Sequence, residues 1–203
     1  MLSQTNHNFM KKVILIAAMS IFFISRSVAQ GGIAKMYLKA SGFTGVDSTK
    51  SYVVLEYDKI MKGDLYKKSL TYLNGIYKTP SKVISVVEGE SITVNGFDDH
   101  LSQAGNLYKF PFSYNIVLQF KDGKIKFEPR IVEMKEIFTV NNKETPFYVN
   151  SLQSPKPVEI HCIYLHNNEK NVTILFQEDI KLAIDKWINS YISGINNAMV
   201  DNW

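Results

Sequence analysis

Apolar residues fall at Ile180, Ile184, Trp187, Ile188, Tyr191, Ile192, Ile195 and Met199, the spacing of one face of a long helix. Asp185, Lys186, Asn189, Ser193, Asn196 and Asn197 take the other side. Gly194 sits among those polar positions and costs the helix about 1 kcal/mol relative to alanine. Each large apolar side chain buried from the stripe contributes roughly 1.5–3 kcal/mol, so packing against a sheet outweighs that cost. A second helix is predicted over Gly63–Lys78, where Tyr66, Leu70, Leu73 and Tyr77 share a face with Leu65 and Ile76. Asp64 suits its first turn or cap, and Thr79-Pro80 ends it.

Elsewhere the period changes to two. Ser51–Tyr57 reads as a first strand. Lys82–Val87 and Ser91–Phe97 flank Glu88-Gly89-Glu90, and a three-residue loop there pairs Val86 with Ile92 and Ile84 with Val94. Tyr114, Ile116, Leu118 and Phe120 alternate with polar residues, as do Ile125, Phe127, Pro129 and Ile131. Asp122-Gly123 between them suits a type I′ turn, which sets Phe120 against Ile125, Leu118 against Phe127 and Tyr114 against Ile131. Turn chemistry and alternation select the same register. Thr139–Pro157, with Asn141-Asn142, Pro146, Pro155 and Pro157, reads as an irregular excursion, followed by a further hairpin from Val158–Leu165 and Val172–Phe176. The order gives an α+β fold in two layers: an antiparallel sheet, a helix after the first strand, and a long C-terminal helix packed on the same face.

The chain's beginning changes the picture. Lys11-Lys12, an apolar run over Val13–Ile24 and the small residues of Ser27-Val28-Ala29 form an export signal with a cleavage site. The run is too short to span a bilayer, which takes about 20 apolar residues. Residues 1–29 are therefore read as a cleaved signal peptide, 30–50 as a loose lead-in with a short strand around Met36–Leu38, and 51–203 as a single α+β domain. Met10-Lys11-Lys12-Val13 opens a more usual signal than Met1 does.

The signal also accounts for most of the net charge. The chain has 23 basic and 19 acidic residues; without Lys11, Lys12 and Arg26 it keeps 20 basic ones and a net charge of +1. That argues against nucleic acid as a partner, which requires a basic stripe. Cys162 is the only cysteine, so no intrachain disulfide forms, and its apolar surroundings suggest a buried, inert thiol. With no second long apolar run, the mature chain is expected to lack a transmembrane segment and to be exported, periplasmic or extracellular.

Tyr52-Val53-Val54-Leu55 is followed by Lys62-Gly63-Asp64-Leu65-Tyr66-Lys67-Lys68-Ser69-Leu70-Thr71-Tyr72-Leu73, then the Tyr114–Phe120 strand, Lys121-Asp122-Gly123-Lys124 and Ile125-Lys126-Phe127. Over roughly 50–135, and more loosely over the last helix, this resembles the exported bacterial domain-of-unknown-function family 4468. That family has a TATA-binding-protein-like (TBP-like) fold, β-α-β4-α. The resemblance implies that fold and a Gram-negative, exported setting. It brings no catalytic residues, and a fold name confers no DNA binding.

Candidate chemistry is sparse. Asp98-Asp99-His100 could supply a base or a weak metal site, although neighbours in a loop rarely converge and no nucleophile motif accompanies them. His161 and Cys162 point to opposite faces of a strand and cannot act as a pair. No motif calls for a cofactor. Tyr108, Phe110, Phe112 and Tyr114 alternate around Pro111, either as core or, with Trp187, as a surface for an apolar ligand or partner. Three functions remain open. The first is an exported non-enzymatic structural or protein-interaction module of the cell envelope. The second is a carrier or sensor of a small apolar ligand held between sheet and C-terminal helix around Trp187. The third is a hydrolase built on Asp98, Asp99 and His100.

Overall fold

The computed structural model describes residues 34–46, 49–153, 161–167 and 170–200. The signal expected over 1–29 and part of the strand expected from Val158 lie outside the described residues. Twelve strands are described: β1 (Met36–Lys39), β2 (Gly42–Gly45), β3 (Val53–Glu56), β4 (Ile84–Val87), β5 (Ser91–Asp98), β6 (Ser102–Gln103), β7 (Tyr108–Lys109), β8 (Phe112–Lys121), β9 (Lys124–Phe138), β10 (Lys143–Asn150), β11 (Cys162–Asn167) and β12 (Val172–Leu175). The helices are α1 (Lys62–Ile76), the single turn α2 (Pro80–Val83) and α3 (Glu178–Val200).

The main sheet runs β12-β11-β10-β9-β8-β5-β4, with β3 and β7 also paired to β9. Both expected registers are present: Ile84 faces Val94 and Val86 faces Ile92; Phe120 faces Ile125, Leu118 faces Phe127 and Tyr114 faces Ile131. The pairing therefore lines Ile92, Leu118, Phe127 and Val53 up as one row across four strands. That row and its neighbours form the inner face, on which α1 places Leu65, Tyr66 and Leu73, and α3 places Ile184, Ile188, Ile192 and Ile195. The apolar stripe expected on α3 is the buried one, with Trp187 at its partly exposed border. This is the two-layer α+β fold that the periodicities predict, with one departure: the sheet is antiparallel except between β10 and β11, which run parallel with Tyr148 beside Cys162 and Asn150 beside Tyr164. Among the described residues no helix is long and apolar enough to cross a membrane.

Five local expectations are corrected. The Asp122-Gly123 turn is not type I′, which needs a positive φ at both residues; only Gly123 has one, at 69°. The turn is shaped from outside instead. Asp122 Oδ1 accepts the Lys62 N–H at the start of α1 (2.8 Å), and Gly123 donates to Ile60 O (2.9 Å) while accepting from Tyr57 N–H (2.8 Å). On α1 itself, Ile76 is exposed rather than part of the buried face. The strand expected from Lys82 starts at Ile84, because Pro80 opens a helical turn through Val83.

Thr139–Pro157 is not wholly irregular: the chain turns at Val140–Asn142 and returns as β10, with Phe147 opposite Met134. Pro146 is tolerated there because its partner Lys135 sends its N–H the other way, to Pro111 O (3.0 Å), so their pair needs no donor from proline.

Nor is the segment 30–50 loose where it is described. β1 and β2 form a hairpin with Met36, Leu38 and Phe43 in the core, part of the same compact unit as the rest. The buried outer edge of β1 must satisfy its backbone groups, and α3 does so with side chains. Asn189 accepts Met36 N–H (3.0 Å) and donates to Met36 O (2.8 Å), while Asp185 accepts Leu38 N–H (2.7 Å). Tyr164 adds a hydroxyl bond to Leu38 O (2.7 Å). The supposed solvent face of α3 is thus partly an edge for β1. Buried Asp185 is paired with Lys181 one turn away.

Candidate functional site: a cleft beside Trp187

Trp187 is placed by the border of the α3 stripe, where one side of the ring meets the core and the other reaches solvent. Its ring is held edge-on by Tyr114 (4.7 Å between centroids), Phe112 (5.0 Å) and Tyr191 (5.3 Å), spacings at which aromatic pairs attract beyond their area burial. Behind it the hydroxyls of Tyr77, Tyr114 and Tyr191 close a triangle of hydrogen bonds at 2.7, 2.8 and 3.0 Å. Burial first, then the bond with Tyr114, pushes the Tyr77 and Tyr191 hydroxyls well above the ordinary phenol range, so both keep their protons within the ring of bonds. The arrangement depends on Gly96: it faces Tyr114 across β5 and β8, and a Cβ there would lie 2.2 Å from the Tyr114 ring.

In front of this cluster lies a cleft of about 410 Å³ between α3 and the loop after β5. Phe112, Ile184, Leu101 and Trp187 give it an apolar floor; Asp98, His100, Lys186 and Ser190 form a polar rim. Sequence reasoning singled out Phe112, Trp187, Asp98 and His100, and the fold brings these four to one place. It missed Leu101, Ile184, Lys186 and Ser190; of these, Ile184 and Ser190 lie three residues on either side of Trp187 on one helix, which was a readable signal. Tyr114 stands behind the floor. Phe110 packs on Phe147 (5.0 Å) deep in the core, and Tyr108 packs on Phe138 (5.3 Å) at the paired end of β7 and β9. The four alternating aromatics are therefore mostly core, divided by the break at Pro111.

The rim is not a preformed acid–base device. Asp98 Oδ1 accepts the His100 N–H (2.9 Å), fixing the loop, while the imidazole itself is 90 % exposed, 3.4 and 3.5 Å from Asp98 and Asp99 carboxylate oxygens. Asp99 is not among the lining residues. The Ser190 hydroxyl donates to Trp187 O (2.6 Å), a bond along its own helix rather than to a base. Nothing in this geometry points to catalysis. Among the described residues no three His, Cys, Asp or Glu side chains gather where they could hold a metal ion. His161 is engaged with Glu136, and burial pushes the Cys162 thiol up, away from reactivity.

A larger groove of about 480 Å³ lies on the sheet's other face, beside Tyr52, Gln119, Lys121, Lys124 and Lys126. Its charges are largely matched: Lys124 meets Glu56 (2.8 Å), and Lys126 meets Glu128 (2.6 Å) and lies over the Tyr52 ring (4.4 Å). With an apolar floor and unlike groups on its rim, the Trp187 cleft is the better-built site.

No family model and no curated protein matches the chain. Among solved structures it is similar to a TBP-like protein from Parabacteroides distasonis, at 12 % identity and a TM-score of 0.46, covering 72 % of this chain and 91 % of that one. It is also similar to a DUF4468 family protein from Bacteroides ovatus, at 10 % identity and a TM-score of 0.48, covering 74 % of this chain and 85 % of that one. The two descriptions name the fold and the family that residues 50–135 resemble.

Proposed function

We propose that the chain is an exported, non-enzymatic interaction module of the bacterial cell envelope, and that a partner protein lodges an apolar side chain in the cleft beside Trp187. The observation that carries this is the partly exposed Trp187 ring, held from behind by Phe112, Tyr114 and Tyr191. A side chain already fixed by packing loses little freedom on binding, and aromatic anchors ringed by polar groups are where binding energy concentrates. The basic start, short apolar run and small residues before Gln30 support export.

The test is recovery of a partner from envelope fractions by the mature chain and by Trp187→Ala and Ser190→Arg, with Lys121→Ser on the opposite face as control. Loss of one defined partner in both cleft variants is the expected result, with unfolding midpoint and near-UV circular dichroism retained in Ser190→Arg, and far-UV circular dichroism retained in Trp187→Ala, whose midpoint falls with the lost packing. A partner held equally by all four chains would reject the cleft.

A second reading, a small apolar ligand in the same cleft, is favoured by its volume of about 410 Å³, inside the range of about 300–1,000 Å³ for small-molecule sites. Such a ligand would lie at the surface, because side chains of both layers fill the space between the sheet and α3. Native mass spectrometry showing a co-purified ligand, with Trp187 fluorescence shifting on its removal, would favour this reading over the first.

A further inference from the structure

The rim of the Trp187 cleft carries two opposite charges that the fold leaves unmatched. On the loop wall, Asp98 uses Oδ1 to accept the His100 N–H (2.9 Å), and among the described residues its Oδ2 accepts nothing. On the helix wall, Lys186 is exposed, and its ammonium meets no carboxylate, hydroxyl or ring among the described residues. Other charged side chains find partners nearby: on α3 itself Lys181 pairs with Asp185, and on the sheet Lys124 meets Glu56 (2.8 Å) and Lys135 meets Glu144 (2.9 Å). Asp98 and Lys186 border one apolar floor without forming an ion pair with each other.

That separation sets a condition on whatever covers the floor. An occupant seated on Phe112, Ile184 and Trp187 displaces water from both charges, and a desolvated charge without a counter-charge opposes binding. An occupant that brings the opposite charge to each wall turns the same desolvation into attraction, and a like charge on either wall is rejected.

Given that the cleft holds a partner's apolar side chain, as proposed above, we infer that this side chain is flanked by a cation that meets Asp98 and an anion that meets Lys186. In an extended segment the residues two places before and two places after the anchor share its face. One basic and one acidic residue at those places satisfy both walls, because the segment can lie in whichever direction matches them.

The test uses four acetylated and amidated pentapeptides, each with a central phenylalanine between two serines. Their end residues are lysine and glutamate, two glutamines, two lysines, or two glutamates. Binding to the mature chain is read from the indole N–H resonance of Trp187, identified by its loss in Trp187→Phe. The lysine–glutamate peptide is expected to bind about fivefold more tightly than the glutamine peptide, the scale of two exposed ion pairs, and added salt should shrink the difference. In Lys186→Glu the two-lysine peptide becomes the tightest. Asp98→Asn, which keeps an acceptor for the His100 N–H, levels the lysine–glutamate and two-glutamate peptides.

Equal binding of all four peptides, each moving the Trp187 signal and none doing so once alanine replaces its phenylalanine, overturns the flanking charges and leaves the apolar cleft standing. A Trp187 signal that no peptide moves overturns both. A co-purified small molecule that no peptide displaces, or a Trp187 signal that shifts with chain concentration alone, assigns the cleft to a different occupant and overturns the inference as well.

Discussion

On helix propensity alone, replacing Gly194 with alanine would stabilise α3 by about 1 kcal/mol. The fold reverses that sign. A Cβ at Gly194 would lie 2.0 Å from the Tyr72 hydroxyl and 2.3 Å from its ring, since α1 lays Tyr72 directly across α3 at this point. Both a ring atom and the hydroxyl are inside contact distance, so the side chain must be displaced as a body from its half-buried seat. Gly194→Ala is expected to destabilise the chain by up to about 2 kcal/mol, the scale of an overpacked contact, about 1–3 kcal/mol, less the propensity gain of about 1 kcal/mol. In a Tyr72→Ala background the same substitution should add stability. Denaturant unfolding of the four chains reads this directly, and additive effects would show that the contact is not what excludes a side chain. Residue-level sequence reasoning placed Gly194 on the polar side of the helix and had no means of seeing Tyr72, which comes from another element.

Elements in this molecule are often completed by a distant neighbour. α1 has Met61 at its N-cap position, whose side chain makes no capping bond; the free N–H of Lys62 goes instead to Asp122 in the turn between β8 and β9. Asp122→Ala is therefore expected to cost about 1 kcal/mol, as loss of a helix cap does, and Asp122→Asn to cost much less because it keeps an acceptor oxygen. If the urea midpoint of Asp122→Ala matched that of the parent chain, the trans cap would contribute nothing. Such reciprocity explains what could be read from the chain. The β4–β5 and β8–β9 registers were legible because the turn residues and the apolar alternation both lie within the paired segment. The α3 stripe was legible for the same local reason. β10 was hidden because Pro146 normally argues against a strand, and only the position of Lys135 shows why it is harmless. β1 was barely visible because its partners, Asp185 and Asn189, count as solvent-facing in a helical period.

At the scale of the whole molecule, buried phenols set the response to alkali. Tyr164 is pushed up to about 12 from 10.0, chiefly by burial and secondarily by the negative charge of Asp185. Burial raises Tyr57, Tyr77 and Tyr191 further still. Because the folded chain holds protons that the unfolded chain releases, this stability is complete below about pH 10 and is lost as pH rises toward and through the folded values. Unfolding free energy should therefore decline between pH 10 and 12, and Tyr164→Phe should decline less steeply across that window. It starts lower, having lost the bond to Leu38 O (2.7 Å), so the two curves approach each other. Parallel curves would remove Tyr164 from the account. The candidate site was legible at this scale only in pieces: Asp98, His100, Phe112 and Trp187 were each noticed, but no local pattern says that a loop, a strand and a helix will meet.

The clasp between β1 and α3 joins residues 147 and 153 positions apart. A chain emerging from its N-terminus has nowhere to seat Met36 and Leu38 until Asp185 and Asn189 have also emerged. The first strand described is thus among the last to dock. For the exported life proposed above, that delay keeps the β1–β2 hairpin undocked until α3 has also been made.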